Sequence, residues 1–300
     1  MAHKMEIKFD IATQPTPLWE VGATLGEGVL WDAPNGQVWF VDIKGRRLHR
    51  CAADGSDRKS WDAPGQVSFV VRASDGGLVV SLEDGLYRFV EATGEFVPFV
   101  KVEADVPGNR FNDGHVDAQG LLWFGSMDDA EEQPTGVLYR FDGRHVVRMD
   151  DGYIITNGPA VSPDGRTLYH TDTLDKRVYA FDLAEDGSLS NKRVYAEITD
   201  GGWPDGMAVD ADGHVWIAVF RGWRIERRDP QGRKVGEVRF PCSNITKLAF
   251  AGDDLRTVYA TSARKGLSAE ELAQQPLAGA LFTFRAGTAG LPHHVLRLQE

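Results

Sequence analysis

The sequence predicts an all-β chain folded as a six-bladed β-propeller with four antiparallel strands per blade. Two observations predict it. Helical periodicity is nearly absent, and a short run rich in Val, Leu, Trp, Tyr and Phe recurs at a nearly fixed period. The runs are "VWFVDI" from Val38, "LVVSLE" from Leu78, "LWFGSM" from Leu122, "LYHTDT" from Leu168, "VWIAVF" from Val215 and "VYATSA" from Val258, with starts 40, 44, 46, 47 and 43 residues apart. A period of this size marks a repeat architecture, and units of about 40–45 residues with four strands each are propeller blades.

The other elements fall into place around these runs. A strand candidate precedes each one: "GVLWD", "VSFVV", "GHVDA", "PAVSP", "GMAVD" and "KLAFA". Another follows: "RRLHRC", "GLYRFV", "GVLYRF", "RVYAFD", "WRIERR" and "GALFTF". A β-sandwich also has many short strands but no reason to repeat one strand order six times. Asp54-Gly55, Asp164-Gly165 and Asp212-Gly213 suit hairpin turns within blades. A helix is expected only at Leu267 to Gln275, with Ser268 as N-cap and Glu271 completing a capping box. No Pro-rich or low-complexity linker divides the chain, so residues 1–300 read as a single domain. Residues 1–15 read as peripheral or as partly added sequence.

The composition is that of a soluble globular protein, with 42% hydrophobic and 26% charged residues. No apolar run approaches the ~20 residues of a membrane-spanning helix, and the first twenty residues lack a signal-peptide pattern. Cytoplasm and a monomer are the expectations. Forty-four acidic against 33 basic residues give a net charge of −11. That argues against nucleic acid or an anionic membrane as partner, since both require a basic face. Cys51 and Cys242 are too few for a disulfide framework and read as reduced buried thiols.

In a propeller the innermost strands line a central channel, and residues at their entrances converge on its axis. About ten residues before each central run stand Glu27, Gln66 with Ser68, Asn112, Asn157, Asp205 and Asn244. Any one of these suits a turn, but a shared axial site accounts for the set. Glu27, Asn157 and Asp205 make an oxygen-rich donor set of two carboxylates and an amide, which hard divalent cations prefer. Two facing carboxylates repel each other without a cation between them. Ca2+, Zn2+, Mn2+, Mg2+ and Fe(II) all remain open. Arg110 lies two residues before Asn112, where a guanidinium could hold a substrate oxygen. Asp128 and Asp129 begin a loop that could cover one channel mouth. No G-x-S-x-G elbow, H-E-x-x-H helix, P-loop, EF-hand loop or paired C-x-x-C occurs, which argues against a serine hydrolase or zinc protease.

Five stretches, "LGEGVLWD", "NRFNDGHVDAQGLLWFGSM", "TNGPAVSPDGRTLYHTDT", "PDGMAVDADGHVWIA" and "TSARKGLSAEELAQQPLAGALF", together resemble the SMP-30/gluconolactonase family of regucalcin-like proteins. The resemblance runs from about Leu18 to Phe284. The segment "TDTLDKRVYAFDLAEDGSLSNKRV" is similar to bacterial sugar-acid lactonases, xylonolactonases included. The resemblance implies one divalent cation on the axis held by Glu27, Asn157 and Asp205, with Arg110 and Asn112 as substrate contacts. The family's acidic substrate contact aligns with Ala130, which leaves Asp128 and Asp129 as candidates. The expected activity is metal-dependent hydrolysis of a xylono-, arabinono-, galactono- or gluconolactone to its aldonic acid, a reaction of the carboxylic-ester hydrolase type. Asp205 would serve both as ligand and as the group that orients or deprotonates water. The alternatives are a non-enzymatic cation-binding regulator and a propeller esterase. The esterase would have a more apolar pocket than the oxygen- and guanidinium-dominated one expected here.

Overall fold

The computed structural model describes residues 13–299. Among them the strands form six four-stranded antiparallel sheets. The innermost strands are Gly26–Asp32, Val70–Arg72, Asn109–Val116, Thr156–Val161, Trp203–Val209 and Ile245–Ala251. Each contacts the next around a closed ring, the sixth returning to the first. This is the expected six-bladed propeller, and we number the blades 1 to 6 in that order.

The repeated apolar runs are the second strands of the blades, and the reason lies in their alternation. Their two faces enter the cores on either side of the sheet. Trp39, Val41, Val70 and Val80 pack between blades 1 and 2. Phe69, Phe111, Phe124 and Tyr139 fill the space between blades 2 and 3. Trp216, Phe250 and Phe282 fill that between blades 5 and 6. Burying each such side chain contributes roughly 1.5–3 kcal/mol. The ring is therefore held by six inter-blade cores, with the axis left to other residues.

A turn motif recurs between first and second strands. Asp117 accepts hydrogen bonds from the amides of Gln119 and Leu121 and from Trp123 Nε1 at 2.8 Å. Asp210 does the same for the amides of Asp212 and His214 and for Trp216 Nε1, also at 2.8 Å. The carboxylate thus fixes the hairpin and satisfies the indole of the core Trp at one stroke.

Blade 6 departs from the expected within-period order. Its outermost strand is Thr16–Trp19, which pairs antiparallel with Leu281–Arg285. The start of the chain therefore closes the ring. Part of the segment 1–15 read as peripheral lies outside the described residues. The predicted helix is present at Ala269–Gln274 with its Ser268–Glu271 capping box. Both cysteines are buried and free. Among the described residues no helix is long and apolar enough to cross a membrane.

Candidate active site

Four of the innermost strands carry a polar residue followed by glycine: Glu27-Gly28, Asp113-Gly114, Asn157-Gly158 and Asp205-Gly206. In the same four strands the pairing register shifts at this point, between Glu27 and Leu30, Phe111 and Gly114, Asn157 and Ala160, and Pro204 and Met207. Such bulges re-aim side chains. Glycine is needed because Gly28 adopts φ +56° and a Cβ there would lie 2.8 Å from the Ser68 carbonyl oxygen and 2.9 Å from Phe69 Cα.

The result is a cavity of about 250 Å³ at one end of the channel. Its lining includes Glu27, Arg110, Asn112, Asn157 and Asp205. All five are buried, with exposures of 2%, 2%, 5%, 3% and 5%. Glu27, Asn157 and Asp205, the trio expected from sequence, line this one cavity. Glu27 Oε2 accepts from the amide of Gly28 at 3.0 Å. Asn157 Nδ2 donates to Thr173 Oγ1 at 3.0 Å, and its Oδ1 accepts from Asn112 Nδ2 at 2.9 Å. Asp205 Oδ1 is buried without any partner. An unpartnered buried carboxylate oxygen costs about 1–3 kcal/mol or more unless something fills the position.

The charges point the same way. Burial, and then the negative charge of Asp113, push Glu27 up to about 8. Burial and the neighbouring Glu27 raise Asp205 well above the ordinary carboxylate range. Two carboxyls this close share a proton unless a cation replaces it. A divalent cation fits this donor set: two carboxylates and one amide oxygen, one of them unpaired and all aimed at one cavity.

Arg110 is buried, not a surface ion pair. Its Nε donates to Asp129 Oδ1 at 2.7 Å, and one terminal nitrogen donates to Asn112 Oδ1 at 2.7 Å. Asn112 Nδ2 donates to the Thr156 carbonyl as well as to Asn157. The amide of Asn112 is thus engaged by Arg110, Thr156 and Asn157 while the residue lines the cavity. Asp129 also accepts from Lys44 and from Gln66 Nε2, so it anchors the cover loop to blades 1 and 2 and locks Arg110 in place. Asp128 requires a correction. Its carboxylate accepts the amides of Ala130, Glu132 and Gln133, which hold it below its usual pKa. It shapes the loop and lies outside the cavity lining. Asn244 is also spent elsewhere, donating to the Lys265 carbonyl.

Several site residues were missed from sequence. Glu131 lines the cavity and pairs with Lys265. This bridge joins blade 3 to blade 6 across the channel mouth. Beneath the trio, Lys247 Nζ lies 2.7 and 2.6 Å from the two oxygens of Asp113, both residues being buried. Lys247 had one legible signal, a lone charge within the apolar strand "ITKLAFA". A second correction concerns the pocket wall, which is not dominated by oxygen and guanidinium groups. Leu25, Ile155, Leu174, Trp203 and Phe220 line it too. Asp210, Asp212 and His214 also form a compact acidic group. Asp210 is already committed to its turn and to Arg227, so this group is a blade turn and not a rival centre.

Residues 25–264 match the profile of the SMP-30/gluconolactonase/LRE-like region. This chain belongs to that family. Among relatives of the family, the L-arabinolactonase of Azospirillum brasilense is 35% identical over 93% of this chain and 94% of that protein. The 6-deoxy-6-sulfogluconolactonase of Pseudomonas putida is 34% identical over 89% and 93%. The solved structure of regucalcin from Agrobacterium tumefaciens, a calcium-binding protein, superposes with a TM-score of 0.91 at 30% identity, covering 97% of this chain and 98% of that one.

Proposed function

We infer that the chain hydrolyses a sugar lactone to the open hydroxy acid, with a divalent cation held by Glu27, Asn157 and Asp205. The observation that carries this is the partnerless Asp205 oxygen on the floor of a cavity that also holds Glu27, Asn157 and Arg110. The family's lactonase members support the reaction class. A divalent cation bound there supplies Lewis acidity at the lactone carbonyl and offsets the negative charge that develops on its oxygen.

The chain's own residues do the rest. Arg110 is fixed by Asp129 and Asn112 and keeps one terminal nitrogen for a substrate oxygen. Asn112 holds the Asn157 amide in register. Asp205 would be at once a ligand and a carboxylate able to orient or deprotonate the attacking water. We assign the working form to a cytoplasmic monomer. The sugar is one of the xylono-, arabinono-, galactono- or gluconolactones.

The test is acid release from these four lactones by cation-loaded protein at neutral pH, with spontaneous opening subtracted. Asp205→Asn should keep the fold and lose at least about 100-fold in turnover, the scale expected for a lost general base. Wild-type turnover in that variant would remove Asp205 from the mechanism. The similarity to a calcium-binding regucalcin favours a second reading, cation binding without catalysis. That reading predicts tight binding and no acid release from any lactone.

A further inference from the structure

The cavity mouth is closed unevenly. On the side of blades 1 to 3, the cover loop is tied down by Lys44, Gln66 and Arg110 through Asp129. The Glu131–Lys265 bridge then crosses to blade 6. What remains is the side of blades 4 and 5. There the lining side chains are the apolar Ile155, Leu174, Trp203 and Phe220 together with Thr173 and Arg221. Leu174 is 41% exposed, although it lies against a cavity. Lys176 Nζ sits 5.2 Å from the Trp203 ring centroid in a cation–π contact. Thr173 Oγ1 is engaged by Asn157 and the Pro204 carbonyl, and Arg221 by Glu271 and the Gly266 carbonyl. The four apolar side chains are therefore what this wall offers, and a hydrocarbon chain would leave water by lying along them.

We propose that the enzyme also hydrolyses lactones carrying an alkyl substituent on the carbon that bears the ring oxygen, the alkyl chain lying against Ile155, Leu174, Trp203 and Phe220. This rests on the lactonase reading above and extends its substrate class. The reaction balances with water alone. The water oxygen bonds to the carbonyl carbon and the ring C–O bond breaks. One water proton goes to the departing ring oxygen, and the other leaves the new carboxylic acid to solvent. Nothing is oxidised or reduced.

The experiment uses the cation-loaded full chain and the series γ-valerolactone, γ-hexalactone, γ-heptalactone and γ-octalactone, beside xylono-1,4-lactone. kcat/KM should rise roughly threefold to fourfold per methylene, the gain expected for burying one CH2. Leu174→Ser, at an exposed turn where folding is not at risk, should flatten that rise, and Trp203→Ala should flatten it further. No rise along the series, or a rise that both variants leave intact, overturns the proposal. Turnover of xylono-1,4-lactone without turnover of any alkyl lactone overturns it while sparing the sugar-lactone reading. Silence toward every lactone sinks both.

Discussion

Glu27 and Asp205 show how burial and neighbouring negative charge raise the proton affinity of ordinary carboxylates. With Glu27 pushed up to about 8 and Asp205 raised well above its usual range by burial and by Glu27, the pair keeps a proton at neutral pH that a cation would have to displace. Cation affinity should therefore rise with pH, close to tenfold per unit where one proton is displaced, and level off above about pH 8. Competition against a chelating dye at pH 6, 7, 8 and 9 would show it, and a flat profile would mean that the pair is already ionised. Stability carries the opposite sign. A carboxyl whose folded pKa lies above its unfolded value stabilises the fold when protonated. Without cation, that contribution is present below the unfolded pKa near 4.5 and is lost as pH rises toward 8. The chemical types at these two positions and at Asn157 were legible only as a set, because each alone suits a turn whereas their recurrence at successive strand entrances points to a shared axis. Asn112 lines the cavity as well, but only its geometry shows that both its amide hydrogens are taken by Thr156 and Asn157.

At the level of the strand, the bulge is what makes an axial residue axial. A regular strand would alternate its side chains between the two flanking blades. The extra residue after Glu27 rotates that side chain to the channel, and Gly28 permits the rotation at φ +56°. Gly28→Ala should cost about 1–3 kcal/mol for a strained backbone, and it should also weaken cation binding by displacing Glu27. Thermal melts with and without cation would separate the two effects. A variant with lowered melting temperature but wild-type cation affinity would show that the bulge serves the fold alone. The strands and their order were readable from the apolar runs, since the period reflects one blade's worth of chain. The bulges were not. An acid-glycine pair is equally good turn chemistry, and register depends on the partner strand.

The whole ring depends on a contact between its two ends. Thr16–Trp19 supplies the outer strand of blade 6, and without it the edge at Leu281–Arg285 is bare. Deleting residues 1–20 should lower the denaturation midpoint and promote association through that edge. Urea unfolding and light scattering would measure this, and an unchanged midpoint would mean that the closure is dispensable. The sequence by itself determined the blade count and which polar residue types stand at the strand entrances, because period and residue type are local properties of a chain. Only the tertiary structure decided which polar groups remain unpaired, that Glu131 meets Lys265 and Asp113 meets Lys247, and that Ile155, Leu174, Trp203 and Phe220 share the open wall. Those facts depend on distances between residues as far apart as 134 positions, and nothing in a linear pattern encodes which blades face each other until the ring has closed.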